Sequence, residues 1–85
     1  MKICYLPKFK RQYKKLPRDV QEAAEEKEAM FRKDPFDQKL KTHKLGGVLS
    51  GFWSFSVSYS YRIIFEFIED GSVRFYQIGP HDIYT

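Results

Sequence analysis

The sequence predicts an α+β fold, an antiparallel β-sheet with an N-terminal helical hairpin packed on one face, in the order β-α-α-β-β-β. Three observations predict it. Apolar residues recur at helical spacing in the N-terminal part, period-two alternation and short apolar runs fill the C-terminal part, and prolines and glycines stand at the junctions. A chain of 85 residues is the length of one small domain with one core, expected to span residues 1–85. Aromatic residues make up 18% of it, and such large rings let a short chain bury enough area to fold unaided.

Residues 2–6 read as a short first strand, apolar on both faces and stopped by Pro7, which suits the first turn of a helix. Phe9, Tyr13 and Leu16 then form one helical stripe, with lysines and an arginine on the opposite side, until Pro17 breaks the run. A second helix is expected from about Asp19, where Asp19 and Glu22 fit a capping box. Val20, Ala23, Ala24, Met30 and Phe31 give it an inward face, with Lys27 at the margin, and Asp34-Pro35 ends it. So short a break between the helices predicts an αα-hairpin. Residues 35–51, with Pro35, Gly46, Gly47 and Gly51, read as a flexible, positively charged connection pinned by Leu40, Leu45, Val48 and Leu49.

From Phe52 the period becomes two. Trp53, Phe55, Val57, Tyr59 and Tyr61 alternate with Ser54, Ser56, Ser58 and Ser60, which predicts a half-buried strand, aromatic in and serine out, with a tight turn near Ser58–Ser60. The run Tyr61–Ile68 is apolar on both faces and belongs in the middle of the sheet. Asp70-Gly71 marks a hairpin turn. In the last strand Val73, Phe75 and Gln77 alternate with Arg74, Tyr76 and Ile78, and Gly79-Pro80 ends it. The last three strands form an antiparallel meander, leaving the face away from the helices partly open for function.

The net charge of +4 conceals a stronger asymmetry. Residues 1–18 carry Lys2, Lys8, Lys10, Arg11, Lys14, Lys15 and Arg18 with no acid, residues 19–31 are acidic, and residues 32–50 turn basic again. Two basic zones flanking an acidic helix suit either a polyanion partner or ordinary solvated faces, and the lysines alone weigh both equally. The single cysteine excludes an internal disulfide framework and points to a reducing cytosol. No apolar run is long enough to span a bilayer, so no membrane partner is expected, and the apolar part of the N-terminus is too short for a signal peptide. No P-loop, dinucleotide fingerprint or nucleophile elbow occurs. One cysteine and two distant histidines argue against a metal site, and no cofactor is expected. Cys4, in an apolar strand, reads as an inert packing group.

Four residues attract attention. Arg62 sits between Tyr61 and Ile63 in the most apolar segment, sharing a strand face with Ile64 and Glu66. It is either one half of an ion pair, with Glu66 the natural partner, or a bidentate clamp for phosphate. His81, just after Gly79-Pro80, can donate a proton to a leaving oxygen or be a surface tail residue. Tyr84 carries the same two readings, and His43, between Thr42 and Lys44, is a general base or a polar loop residue.

The element order, Leu49-Ser50-Gly51-Phe52-Trp53-Ser54, the strand Tyr61-Arg62-Ile63-Ile64-Phe65-Glu66, and the ending Ile78-Gly79-Pro80-His81-Asp82-Ile83-Tyr84 together resemble the RelE/ParE superfamily of bacterial type II toxins. The likeness covers essentially the whole chain and is greatest to the branch of messenger-RNA endonucleases that includes RelE, YoeB and YafQ. It implies a metal-independent toxin that cuts messenger RNA on the translating ribosome, restrained by a cognate antitoxin protein. In such an enzyme the 2′-hydroxyl attacks the adjacent phosphate, giving a 2′,3′-cyclic phosphate and a 5′-hydroxyl. The resemblance assigns His43 as base, Arg62 as the cation stabilising the transition state, His81 as general acid and Tyr84 as an orienting aromatic. It lays Lys39, Lys41 and Lys44 along the RNA path. Ser56 and Ser60 depart from the YafQ-like pattern, which has a histidine and an aspartate there, and Asp82, Ile83 and Thr85 depart from the YoeB-like ending. The alternatives are a ParE-like toxin that inhibits DNA gyrase without cutting RNA, and a catalytically inactive RNA-binding homologue.

Overall fold

A computed structural model describes residues 1–84, with side chains described through Asp82. Its elements are β1 (Ile3–Tyr5), α1 (Pro7–Lys14), α2 (Arg18–Lys33), β2 (His43–Lys44), β3 (Trp53–Ser56), β4 (Tyr61–Phe67) and β5 (Val73–Pro80). The sheet runs β1-β5-β4-β3-β2, and β2 to β5 pair antiparallel, as a meander requires. The α+β class and the central place of β4 agree with the sequence reading.

The sheet is not antiparallel throughout, because β1 pairs with β5 in parallel, Ile3 opposite Val73 and Tyr5 opposite Phe75. Tight connections fix the directions of β3, β4 and β5, whereas β1 is joined to the meander only through the helices. Its parallel place beside β5 sets Ile3 and Tyr5 next to the apolar side chains that the helices cover.

Pro7 opens α1 as expected, and the helix buries Phe9. The capping box at Asp19 does not form. Pro17 occupies the N-cap of α2, no side chain caps it, and Asp19 lies inside the first turn. The Pro17 carbonyl takes the first amides instead, from Val20 at 3.1 Å and Gln21 at 3.0 Å. Gln21 also ties the two helices together, its amide donating to the Tyr13 carbonyl at 2.9 Å while the Tyr13 hydroxyl donates back to the Gln21 carbonyl at 3.3 Å. Val20, Ala24 and Phe31 face the core. The fully buried Phe31 packs against Phe55, Phe65 and Phe75, with ring centroids 4.9, 5.0 and 5.8 Å away.

The connection after α2 is more ordered than its glycines imply. Asp37 caps a 3-10 turn at Gln38–Leu40 by accepting from the Lys39 amide at 2.9 Å, and Leu40 is fully buried. His43 and Lys44 then add the edge strand β2, within the stretch that reads in the sequence as a connection. Polar, exposed residues give a two-residue edge strand no periodicity to detect.

Two further expectations fail in the meander. Strand β3 ends at Ser56, and Ser54 and Ser56 are buried while Tyr59 is 97% exposed, so serine is not the outer face. The turn expected near Ser58–Ser60 interrupts the alternation and carries Tyr59 out of the sheet, with the Val57 amide bonded to the Tyr61 carbonyl at 2.9 Å. In β5 the alternation shifts. Phe75 stands opposite Phe65 and Gln77 opposite Ile64, so Tyr76 is the extra residue of a β-bulge. The bulge puts Ile78, not Gln77, in the core with Val73 and Phe75.

Candidate functional site

Strand β4 has two faces. Ile63 and Phe65 enter the helix-covered core, with Tyr61 and Phe67 packed against it. Arg62, Ile64 and Glu66 therefore point to the other side. The register carries that side across the sheet: Arg62 is opposite Ser56, Ile64 is opposite Ser54, and Ser54 is opposite His43. His43 and Arg62 thus share a face. It is less open than expected, since Ser54 and Ile64 are buried.

Glu66 does not partner Arg62. It accepts from the Tyr76 hydroxyl at 3.0 Å and pairs with Arg74 at 3.8 Å. Arg62 donates to two main-chain carbonyls, those of Ser58 and Tyr61, each at 3.2 Å. No ion pair among the described residues uses it. Carbonyl dipoles orient a guanidinium without cancelling its charge, so the remaining donors can take an anion.

Arg62 lies in a cleft of about 400 Å³, lined by Lys27, Lys39, Lys41, Ser56, Val57, Ser58, Tyr59, Arg62 and His81. Four of these are cations, one is an imidazole and none is a carboxylate. Repulsion among the cations is the electrostatic cost of such a lining, and a bound polyanion relieves it. His81 reaches the cleft because its amide donates to the Ser60 carbonyl at 2.8 Å, which docks the end of β5 onto the β3–β4 turn. Lys41 reaches it from a left-handed backbone conformation, φ 54°, just after the Gln38–Leu40 turn. A non-glycine residue held there costs about 1 kcal/mol or more, and such strain is concentrated at functional sites.

The cleft thus gathers Arg62, His81, Lys39 and Lys41 from the residues singled out in the sequence. His43 and Lys44 do not line it. His43 stands beside it, its Nδ1 donating to the Lys41 carbonyl at 2.9 Å. Because a carbonyl only accepts, this bond puts a proton on Nδ1, so in the neutral ring Nε2 is the acceptor. The Lys44 ammonium lies 5.5 Å from the Trp53 ring centroid, a cation–π contact on the edge strand. The side chain of Tyr84 lies outside the described residues. Sequence reasoning passed over Lys27 and Tyr59. Lys27 had left a signal, a lysine on the apolar period of α2. No group of residues suited to holding a metal ion occurs among the described residues, and no helix is long and apolar enough to cross a membrane.

No family model matches the sequence, and no curated protein matches it either. Solved structures do match its fold. A YoeB/ParE toxin from Agrobacterium tumefaciens superimposes with a TM-score of 0.79 at 18% identity, over 95% of this chain and 99% of that one. YafQ from E. coli strain BL21(DE3) gives 0.77 at 18% identity, over 93% and 91%. The archaeal RelE of a RelE-RelB complex from Pyrococcus horikoshii OT3 gives 0.77 at 16% identity, over 96% of each chain. The chain therefore has the RelE-like fold along nearly its full length.

Proposed function

We propose that this chain is one RelE-like toxin domain that cuts messenger RNA on the ribosome. The observation that carries the reading is the cleft in which Arg62, Lys39, Lys41 and Lys27 surround His81, with no carboxylate among the described lining residues. The chemistry needs little else. The 2′-oxygen of one nucleotide attacks the adjacent phosphorus, the bond from phosphorus to the 5′-oxygen breaks, and a proton must leave the first oxygen and reach the second. Arg62 and the lysines stabilise the charge that grows on the phosphate oxygens. His81 supplies the proton to the departing 5′-oxygen. His43, bonded through Nδ1 beside the cleft, takes the proton from the 2′-hydroxyl at Nε2. The lysines lie along the RNA path, with Lys44 farther out on the edge strand.

The likeness in fold to YoeB/ParE, YafQ and RelE supports the toxin reading, and the archaeal RelE's complex with RelB supports an antitoxin protein as partner. The test is induced expression of the chain followed by mapping of transcript 5′ ends. New ends inside translated codons are expected for the parent and not for Arg62→Ala or His81→Ala. Intact messages together with blocked DNA supercoiling would overturn the reading in favour of a gyrase poison.

A further inference from the structure

We infer that Tyr59 is a base-stacking platform that holds an unpaired nucleobase while the attached phosphate lies in the basic cleft, an inference that rests on the RNA reading above. Tyr59 is 97% exposed although it lines the cleft. Its contrast with the other aromatic rings is chemical. Even Phe36, more than half exposed, packs against Trp53 and Phe67, with centroids 5.6 and 5.9 Å away. The Tyr59 side chain makes no ring contact and no hydrogen bond among the described residues, so packing does not explain its place.

The turn that carries this ring is held at both ends. The Val57 amide bonds to the Tyr61 carbonyl at 2.9 Å, and the His81 amide bonds to the Ser60 carbonyl at 2.8 Å. The same turn supplies the Ser58 carbonyl that orients Arg62. One short loop therefore sets the exposed ring, the guanidinium and the imidazole relative to one another. Serines on both sides of Tyr59 leave the ring faces unobstructed by bulky neighbours. An anion alone would need only the cations. A flat apolar ring beside them matches a ligand that joins a π-surface to a phosphate, which is a single-stranded nucleotide. A duplex keeps its bases stacked on one another and has no face to offer.

The test measures binding of a short single-stranded 2′-O-methyl RNA, which cannot undergo 2′-oxygen attack, to the full chain at low salt. Tyr59→Ala is expected to weaken binding about five- to a hundredfold, the range for loss of one base–aromatic stack. Tyr59→Phe keeps the ring and should bind like the parent. An oligonucleotide of abasic units should bind all three proteins equally. Equal affinity of Tyr59→Ala and parent for the base-containing strand overturns the inference. So does a Tyr59→Ala loss that persists with the abasic strand, or a parent chain that does not bind the oligonucleotide. Whether the parent cuts translated messages is read separately, so the nuclease reading stands or falls apart from this one.

Discussion

The two faces of β4 differ in how completely their groups are satisfied. On the helix side Ile63 and Phe65 are buried among rings from α1, α2, β3 and β5, and each contact there is reciprocated. On the other side the strand changes character along its length. Glu66 is answered by Tyr76 and Arg74, whereas among the described residues Arg62 is held by carbonyls alone and faces three lysines and His81 across a cleft. Arg32 sharpens the contrast, because its guanidinium pairs with Glu28 at 3.3 Å and also bonds to the Tyr5 hydroxyl and the Met1 carbonyl. The Tyr5 hydroxyl in turn donates to Glu28, and burial followed by that carboxylate raises its pKa. A charge with a counter-charge completes a structure. A charge given only dipoles is left available for a ligand.

The largest effect should come from the satisfied face. Phe31→Ala removes a fully buried ring in contact with four others and should cost about 3–5 kcal/mol of folding stability. Chemical denaturation checks it, and a loss below about 1 kcal/mol would mean that this face is not the core of the fold.

Arg62→Ala reverses the pattern. Cleavage of translated messages should fall by about a hundred- to a thousandfold, the range for removing one preorganised transition-state donor. The denaturation midpoint should change little, since the bonds lost among the described residues are two to main-chain carbonyls. Arg32→Ala serves as the matched control: it should lower stability by no more than about 1 kcal/mol and leave cleavage unchanged. Similar losses of cleavage in both variants would remove the distinction between an arginine held by a carboxylate and one held by carbonyls.

Lys41 combines strain and charge at one position, and a substitution can separate them. Lys41→Gly suits the left-handed backbone, so folding stability should hold or rise by up to about 1 kcal/mol even as cleavage drops. Lys41→Arg should retain most cleavage at unchanged strain. Full activity in Lys41→Gly would show that the left-handed turn, and not the ammonium, is what the cleft needs there.

How much of this was legible in the sequence depended on whether a residue's role is local. The helix periods, Pro7, Asp34-Pro35 and the Asp70-Gly71 turn are local signals, and they placed α1, α2 and β4 correctly. The bulge at Tyr76 was not legible, because it depends on which residue of β4 stands opposite. Nor was the burial of Ser54 and Ser56, small polar residues that read as solvent-facing until both sides of the sheet are seen. In the cleft, Arg62 stood out as a charge in an apolar strand. Lys27 and Tyr59 join it only through packing, one across from α2 and one from the turn expected near Ser58–Ser60, whose direction the sequence does not fix.

The smallest expected effect lies at the other end of β4, in the turn to β5. Asp70 accepts from the Ser72 hydroxyl at 2.6 Å and the Ser72 amide at 2.8 Å, and these bonds hold its carboxyl below the usual range. A carboxyl depressed in the folded state stabilises the fold at pH values above its unfolded pKa, about 4. That contribution drains away as pH falls through the lower folded value. Asp70→Asn keeps an acceptor for both bonds but no longer titrates, so the acid side of its stability profile should fall less steeply than the parent's. Urea midpoints measured from neutral pH downward make the comparison. Cleavage at neutral pH should be identical in the two proteins, because Asp70 and the cleft sit at opposite ends of the strand. Any change in cleavage would mean that the β4–β5 turn communicates with Arg62 along the strand, and that the satisfied and unsatisfied regions of this sheet are not independent.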